Sequence, residues 1–239
     1  MLVAAAVCPC PPILVPEVAA GAAPELDAAR SACLDAVGVL AAALPDLLIV
    51  AGPAGPDDRG PFPPGSAGSF DGFGVDLTVR LGQTPTGSPA PARPLPASLA
   101  VGAWLLDRCG WDGARTEGLG VGEPLATDRC LRAGADLAAG AERVALLVMG
   151  DGSACRTVKS PGYLDERAAD FDAAAARALG SADVAALSAL DESLAYELKA
   201  AGRAPWQVLA GAAEGAGLGG RLLHEDAPYG VGYLVAAWS

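Results

Sequence analysis

Short apolar runs alternate with longer amphipathic stretches along the chain. Leu2–Cys8, Leu47–Ala51 and Val144–Met149 are almost wholly apolar and end at Pro or Gly, which is typical of strands buried on both faces. Gly232–Trp238 has the same character and predicts a closing strand. Gly74–Arg80 alternates apolar and polar residues, so it predicts a strand exposed on one face.

Helical patterns occupy most of the chain between these strands. The first is predicted to begin at Pro24, which suits the first turn of a helix, and to end at Leu44, directly before a proline. Further helices are predicted over Leu95–Cys109 and Ala126–Ala139, and residues 165–214 are predicted to form three or four helices without an intervening strand.

The resulting order, β-α-β-loop-β-α-α-β-α-α-α-β, predicts one α/β domain over residues 1–239, with a central mostly parallel or mixed sheet flanked by helices. The proline-rich residues 84–96 are predicted to cross the surface, because apolar periodicity resumes directly after them. The glycine-rich stretches at 118–126 and 215–220 lack the strand-to-helix context of a dinucleotide fingerprint, so both are predicted to be loops.

Composition narrows the classes of function. With 16 Lys and Arg against 28 Asp and Glu, the net charge is −12, which argues against nucleic-acid or anionic-membrane partners. A hydrophobic fraction of 52% argues against disorder. The apolar start is short and ends in prolines, and no window is long enough to span a membrane, so we expect a cytoplasmic protein whose six cysteines are free thiols.

Candidate chemistry is concentrated where the predicted strands end. Ligands of open α/β sheets bind beyond the carboxyl ends of the strands, which points to the segments after three strands and to the segment before the last strand. The candidate pocket residues in these four segments are Cys8, Cys10, Pro53, Ala54, Asp151, Ser153, Cys155, Arg156, His224 and Glu225.

Stretches in these four segments resemble one family. AVCPCPPILVPEV, DLLIVAGPAGP, GDGSACRT and HEDAPYGVGYLVA occur in the order found in the LigB-like fold of class III extradiol dioxygenases, which Memo-like proteins share. The resemblance implies that fold over essentially the whole chain. In the family, two early histidines and a late acidic residue hold a ferrous ion, and a third histidine acts as acid and base.

This chain departs from the family pattern at its functional positions. The family histidines fall on Cys10, on Ala54, and on Ala154 or Cys155, while the late acid falls on Glu225 or its neighbour Asp226. A ferrous site of this kind needs two neutral imidazoles, and His224 is the chain's sole histidine. The resemblance therefore implies a pseudoenzyme that binds a small phenolic or acidic ligand in the former crevice. We expect no cofactor, with Fe(II) required only if the family activity is retained.

The sequence leaves two other functions open. Cys10, Cys155 and Glu225 with His224 could form a rebuilt enzyme site, either metal-bound or with a nucleophilic thiolate. Cys8 and Cys10 could also form a zinc or copper site with Cys155 and His224, since these metals prefer sulfur and nitrogen ligands, or they are small residues that fill the space of lost histidines. The other open function is a non-catalytic subunit or scaffold. A homo-oligomer is expected, because extradiol dioxygenase chains often associate.

Single residues have a structural and a functional interpretation. Asp151 is expected to cap the turn after its strand or to bind a substrate hydroxyl. Ser153 lies outside a nucleophile-elbow motif, and His224 is either a proton donor at the rim or an exposed residue at a strand end. Glu225 is expected to bind Arg156, His224 or backbone N–H groups, or to turn to solvent. We also expect Cys10, Ala54, Asp151 and Glu225 to surround one polar crevice.

Overall fold

A mixed sheet forms the centre of the computed structural model, which describes residues 1–84 and 93–239. Its strands are β1 (Leu2–Cys8), β2 (Leu47–Ala54), β3 (Gly60–Phe62), β6 (Arg115–Gly122), β7 (Val144–Met149), β8 (Gly220–Asp226) and β9 (Tyr233–Trp238). A separate hairpin consists of β4 (Ser66–Ser69) and β5 (Thr78–Leu81). The helices are α1 (Pro16–Ala19), α2 (Asp27–Ala42), α3 (Ala97–Arg108), α4 (Thr127–Ala138), α5 (Arg167–Ser181), α6 (Val184–Ser188), α7 (Glu192–Glu197) and α8 (Arg203–Ala213).

The strand order of the sheet is β3-β6-β2-β7-β1-β9-β8. The four strands β6, β2, β7 and β1 are parallel, whereas β3, at one edge, and β9 run antiparallel to their neighbours. The most apolar strands, β1, β2 and β7, lie in the middle because helices cover both of their faces. The predicted α/β domain with a mixed sheet is confirmed.

Alternate residues of the central strands enter two hydrophobic cores. The first core, on the side of α2 and α3, contains Cys8, Val50 and Met149, and the second, on the side of α5 and α8, contains Val7 and Val148. This alternation is the period-two geometry of a strand. It also shows which side chains at the strand ends share a face of the sheet.

The main disagreement with the sequence-based elements is β6, part of which is predicted to be a loop. Thr116 and the glycines 118, 120 and 122 alternate with Leu119 and Val121, so the period of two is present but glycine hides it. The glycines are needed for close packing: a Cβ on Gly118 would lie 2.8 Å from Leu81, and one on Gly120 would clash with the carbonyl oxygen of Asp58.

Other boundaries differ less. The segment before the last strand forms β8, which the apolar pattern does not predict, and only the end of the predicted strand Gly74–Arg80 lies in β5. Residues 20–26 form 3₁₀ turns, so α2 begins at Asp27. Residues 165–214 contain α5 to α8, as predicted. Of the proline-rich segment predicted to cross the surface, residues 85–92 lie outside the described residues.

Helices α4 and α8 pack with their backbones in close contact. A Cβ on Gly134 would clash with the carbonyl oxygen of Val208, and one on Gly211 would clash with the backbone of Leu131. Glycine at both positions lets the helices approach without a side chain between them. None of the helices in the described part of the chain is long and apolar enough to cross a membrane.

Candidate functional site

The carboxyl ends of β1 and β7 place Cys10 beside Asp151. The strands are parallel neighbours with Cys8 opposite Met149, and each of the two residues follows its strand by two positions. The Cys10 backbone N–H donates to Oδ1 of Asp151 over 2.8 Å. Asp151 therefore accepts from the neighbouring strand and does not cap its own turn, which corrects the capping interpretation.

Tyr233 completes the group from the other side of β1. Tyr233 is the first residue of β9, which pairs with β1. Its side chain lies on the same face of the sheet as those of Val235 and Cys10, which belong to the first core. The charges of Asp151, Tyr229 and Cys10 all act on its hydroxyl. We call the group of Cys10, Asp151 and Tyr233 the Asp151 crevice, after the crevice that open α/β sheets are expected to form at the carboxyl ends of their strands.

The pKa values in the crevice are shifted by burial. Desolvation raises the pKa of Asp151 to about 6, although the hydrogen bond from the Cys10 backbone N–H opposes the shift. Desolvation and the nearby Asp151 carboxylate also raise the pKa values of the Cys10 thiol and of the Tyr233 hydroxyl. At neutral pH the crevice therefore presents one carboxylate beside two protonated groups that can donate hydrogen bonds.

Tyr229 lies near Tyr233, close enough for its charge to act on the Tyr233 hydroxyl. Its hydroxyl donates to Oε2 of Glu25 over 2.8 Å, and this hydrogen bond is the main cause that raises the pKa of Tyr229. The sequence alone suggests that both tyrosines anchor the core, so it does not reveal Tyr233 as a crevice residue. The feature that could have identified Tyr233 is its position at the start of a strand that runs antiparallel to β1.

Glu225 does not join the crevice, which corrects the expected convergence. Glu225 pairs with Leu234, a residue of the second core, so its side chain belongs to the opposite face from Cys10. Its neighbour Asp226 pairs with Tyr233 and is the acidic residue on the crevice face. Glu225 is exposed to solvent, which is one of the outcomes expected for it.

Ala54 and His224 are on the crevice face but in other strands. Ala54 is the last residue of β2, and β7 lies between β2 and β1. Because side chains alternate along a strand, Ala54 lies on the same face as Val50, the face of the first core. His224 pairs with Val235 on the edge strand β8 and is partly buried. The carbonyl oxygen of Pro53, which precedes Ala54, accepts a hydrogen bond from Oγ of Ser98 over 2.7 Å.

Arg156 binds Asp172 and not Glu225, so the predicted pairing is wrong. Asp172 is 1% exposed, and its carboxylate accepts from the Ser153 N–H at 2.7 Å, from the Ser153 hydroxyl at 2.8 Å and from Nη1 of Arg156 at 3.0 Å. We call these three residues the Asp172 cluster. A Cβ on Gly152 or Gly232 would lie 2.7 or 2.5 Å from its oxygens, so both glycines make room for the carboxylate.

Cys155 does not join Cys8 and Cys10 in one site. Cys155 belongs to the second core, where its thiol donates to the carbonyl oxygen of Leu198 over 3.4 Å, and desolvation raises its pKa. Cys8 is fully buried on the other face, in contact with the Cys33 thiol, which raises its pKa further. The rebuilt site of Cys10, Cys155 and Glu225 is therefore not assembled, and raised thiol pKa values disfavour a thiolate nucleophile.

The residues at the positions where the resemblance implies iron ligands do not fit a ferrous ion. The Cys10 thiol is buried and its pKa is raised by desolvation, Ala54 has no donor atom, and the single imidazole lies on the edge strand. Within residues 1–84 and 93–239, no group of three His, Cys, Asp or Glu side chains is placed to hold a metal ion. No step through iron can be derived from this arrangement.

Comparison with known proteins bears on the fold. No family model and no curated protein sequence matches the chain. Among solved structures, the uncharacterized protein JW3007 from Escherichia coli K12 is similar, with a TM-score of 0.59 and 13% sequence identity over 99% of both chains. The likeness shows a shared fold. At this identity it carries no information about activity.

Proposed function

We propose that the chain is a class III extradiol dioxygenase-like protein that binds a small neutral phenol in the Asp151 crevice and does not cleave rings with ferrous iron. The observation that carries the proposal is the hydrogen bond from Cys10 to Asp151. It occupies the position at which the resemblance implies the first iron-binding histidine, and it places a carboxylate where a ligand hydroxyl can donate to it.

The charge of the crevice favours a phenol over an acid. Asp151 is the ionisable group with the lowest pKa in the crevice, and the nearest arginine of its turn, Arg156, is already bound to Asp172. An anionic ligand would meet this carboxylate without a compensating cation, whereas a phenolic hydroxyl can donate to it. Tyr233 supplies an aromatic surface and a hydroxyl on the same side.

Calorimetric titration with catechol tests the proposal. We expect catechol to bind the whole chain, and Asp151→Asn to weaken binding about tenfold, because a hydrogen bond to a charged group is lost. Asp170→Asn removes an exposed carboxylate and serves as the matched control, with unchanged affinity expected. Failure of catechol to bind, or equal affinity in Asp151→Asn and the parent, would contradict the proposal.

A ring-cleavage assay tests the second half of the proposal. Protein reconstituted with ferrous ion under anaerobic conditions is mixed with air-saturated catechol or protocatechuate, and the absorbance of the yellow ring-fission product is followed. We expect no product above the rate of free ferrous ion, because Cys10 and Ala54 do not supply imidazole ligands. Sustained product formation by the pure protein would refute this half.

A further inference from the structure

A pocket of about 430 Å³ lies at the opposite side of the sheet from β8, where β6 ends beside α4 and α8. Its wall is apolar, and its rim carries two arginines, Arg59 and Arg129. The apolar lining is formed by Leu119, Val121, Leu125, Ala133 and Val208. The volume lies within the range of small-molecule sites, roughly 300–1,000 Å³. We call it the β6 pocket.

Both rim arginines lack a carboxylate partner. The ion pairs of the described residues involve other arginines, and neither Arg59 nor Arg129 donates a side-chain hydrogen bond within residues 1–84 and 93–239. Residues 85–92 contain no Asp or Glu that could supply one. Asp128, next to Arg129 in sequence, is paired with Arg132 at 2.6 Å. In a chain of net charge −12, two unpaired guanidinium groups on one pocket indicate a negatively charged ligand.

The glycines of β6 position Arg59 at this pocket. A Cβ on Gly122 would lie 2.5 Å from Nε of Arg59, so the guanidinium packs directly over the strand backbone at that residue. Glycine at 120 admits the carbonyl oxygen of Asp58, which brings the turn before Arg59 onto the same strand. The glycines of the Gly-Leu-Gly-Val-Gly pattern therefore make room for neighbouring groups on a strand and do not form a phosphate-binding loop.

We propose that the β6 pocket binds an organic carboxylate with an apolar body, such as an aromatic acid. The apolar body would lie against Leu119, Val121 and Val208, and the carboxylate would accept hydrogen bonds from Arg59 and Arg129. Guanidinium groups suit this role because their planar N–H pairs match a carboxylate geometrically. This site is separate from the Asp151 crevice, and its ligand has the opposite charge requirement, so it stands independently of the proposed phenol binding.

Calorimetric titration of the whole chain with 2-naphthoate tests the site, with 2-naphthamide as the neutral analogue of equal shape. We expect 2-naphthoate to bind at least about tenfold more tightly than the amide, and Arg59→Gln and Arg129→Gln each to weaken it about tenfold. Arg132→Gln is the matched control on the same helix, because its side chain is already paired with Asp128. It should leave the affinity unchanged.

A fourth variant separates the pocket from general surface charge. Ala133→Leu enlarges a wall residue without altering charge, so it should weaken the acid and the amide alike. Thermal melts confirm that each variant is folded. Failure of 2-naphthoate to bind, equal affinity for acid and amide, or undiminished affinity in both Arg59→Gln and Arg129→Gln would overturn the proposal, as would undiminished affinity in Ala133→Leu.

Discussion

Replacing Asp172 with alanine should destabilise the protein more than any single surface change. The variant removes the acceptor of three hydrogen bonds within the Asp172 cluster. Ser153 is fully buried, so its N–H and hydroxyl would lose their partner without gaining water, at about 1–3 kcal/mol for each unsatisfied group. Arg156 is 29% exposed and can turn to solvent, so its contribution is smaller. The expected loss in the free energy of unfolding is about 3–5 kcal/mol.

Urea denaturation followed by circular dichroism measures this loss, provided that the slope against urea is unchanged. Asp170→Ala, on the same helix but exposed, is the control and should change the free energy by less than about 0.5 kcal/mol. Ser153→Ala removes only the hydroxyl donor and should cost about 1 kcal/mol. A loss below about 1 kcal/mol for Asp172→Ala, close to that of its control, would refute the reasoning.

Two further predictions concern the Asp151 crevice and the contact between α4 and α8. The pKa of Asp151 is raised to about 6, above roughly 3.9 in an unfolded chain, so the native state binds more protons between these values. The free energy of unfolding of the parent, relative to that of Asp151→Asn, should therefore fall as the pH rises from about 4 to about 6. Urea melts of both proteins at each pH measure this difference, and a difference that does not change with pH would contradict the prediction. Gly134→Ala should destabilise the protein by about 1–3 kcal/mol, because the added Cβ would meet the α8 backbone. Gly38→Ala is the control in thermal melts and should be neutral or stabilising, because there is open space at its Cβ. The reverse order of stabilities would contradict the contact between α4 and α8.

The parts of the fold that follow from apolar runs are predictable from the sequence. β1, β7 and the core of β2 lie where their apolar runs predict them, because these strands are buried on both faces. β6 escapes prediction because glycine, at every second position, carries no hydrophobic signal. The glycines of β6 are needed because other segments, such as the Asp58 carbonyl, approach the strand closely. The sequence around β6 does not show this approach.

The candidate site is predictable where it depends on parallel strand ends. Cys10 and Asp151 meet because β1 and β7 are neighbours with aligned carboxyl ends. The expectation for Glu225 is wrong because a register shift between Leu222 and His224 inserts one residue into β8. Such a bulge moves all later side chains to the other face, which no local sequence pattern signals.

Asp172 cannot be predicted from the residues at the ends of the strands. It is part of α5, among alanines in the sequence, and no pattern selects it although it holds the turn after β7 in place. A buried carboxylate on a helix is recognised by its three-dimensional partners. The glycines at 152 and 232 signal a close contact, but they do not identify the partner.

The proposed function requires Cys10 and Ala54 to stand on one face of the sheet at the positions where the resemblance implies iron ligands. Titration calorimetry with ferrous ion under anaerobic conditions tests it directly, comparing the parent, the single variant Cys10→His and the double variant C10H/A54H. We expect the double variant to gain ferrous affinity over both others, since two imidazoles would then lie on one face of the sheet, at the ends of the two strands that flank β7 and Asp151. A folded double variant with no gain over the parent would contradict the claim.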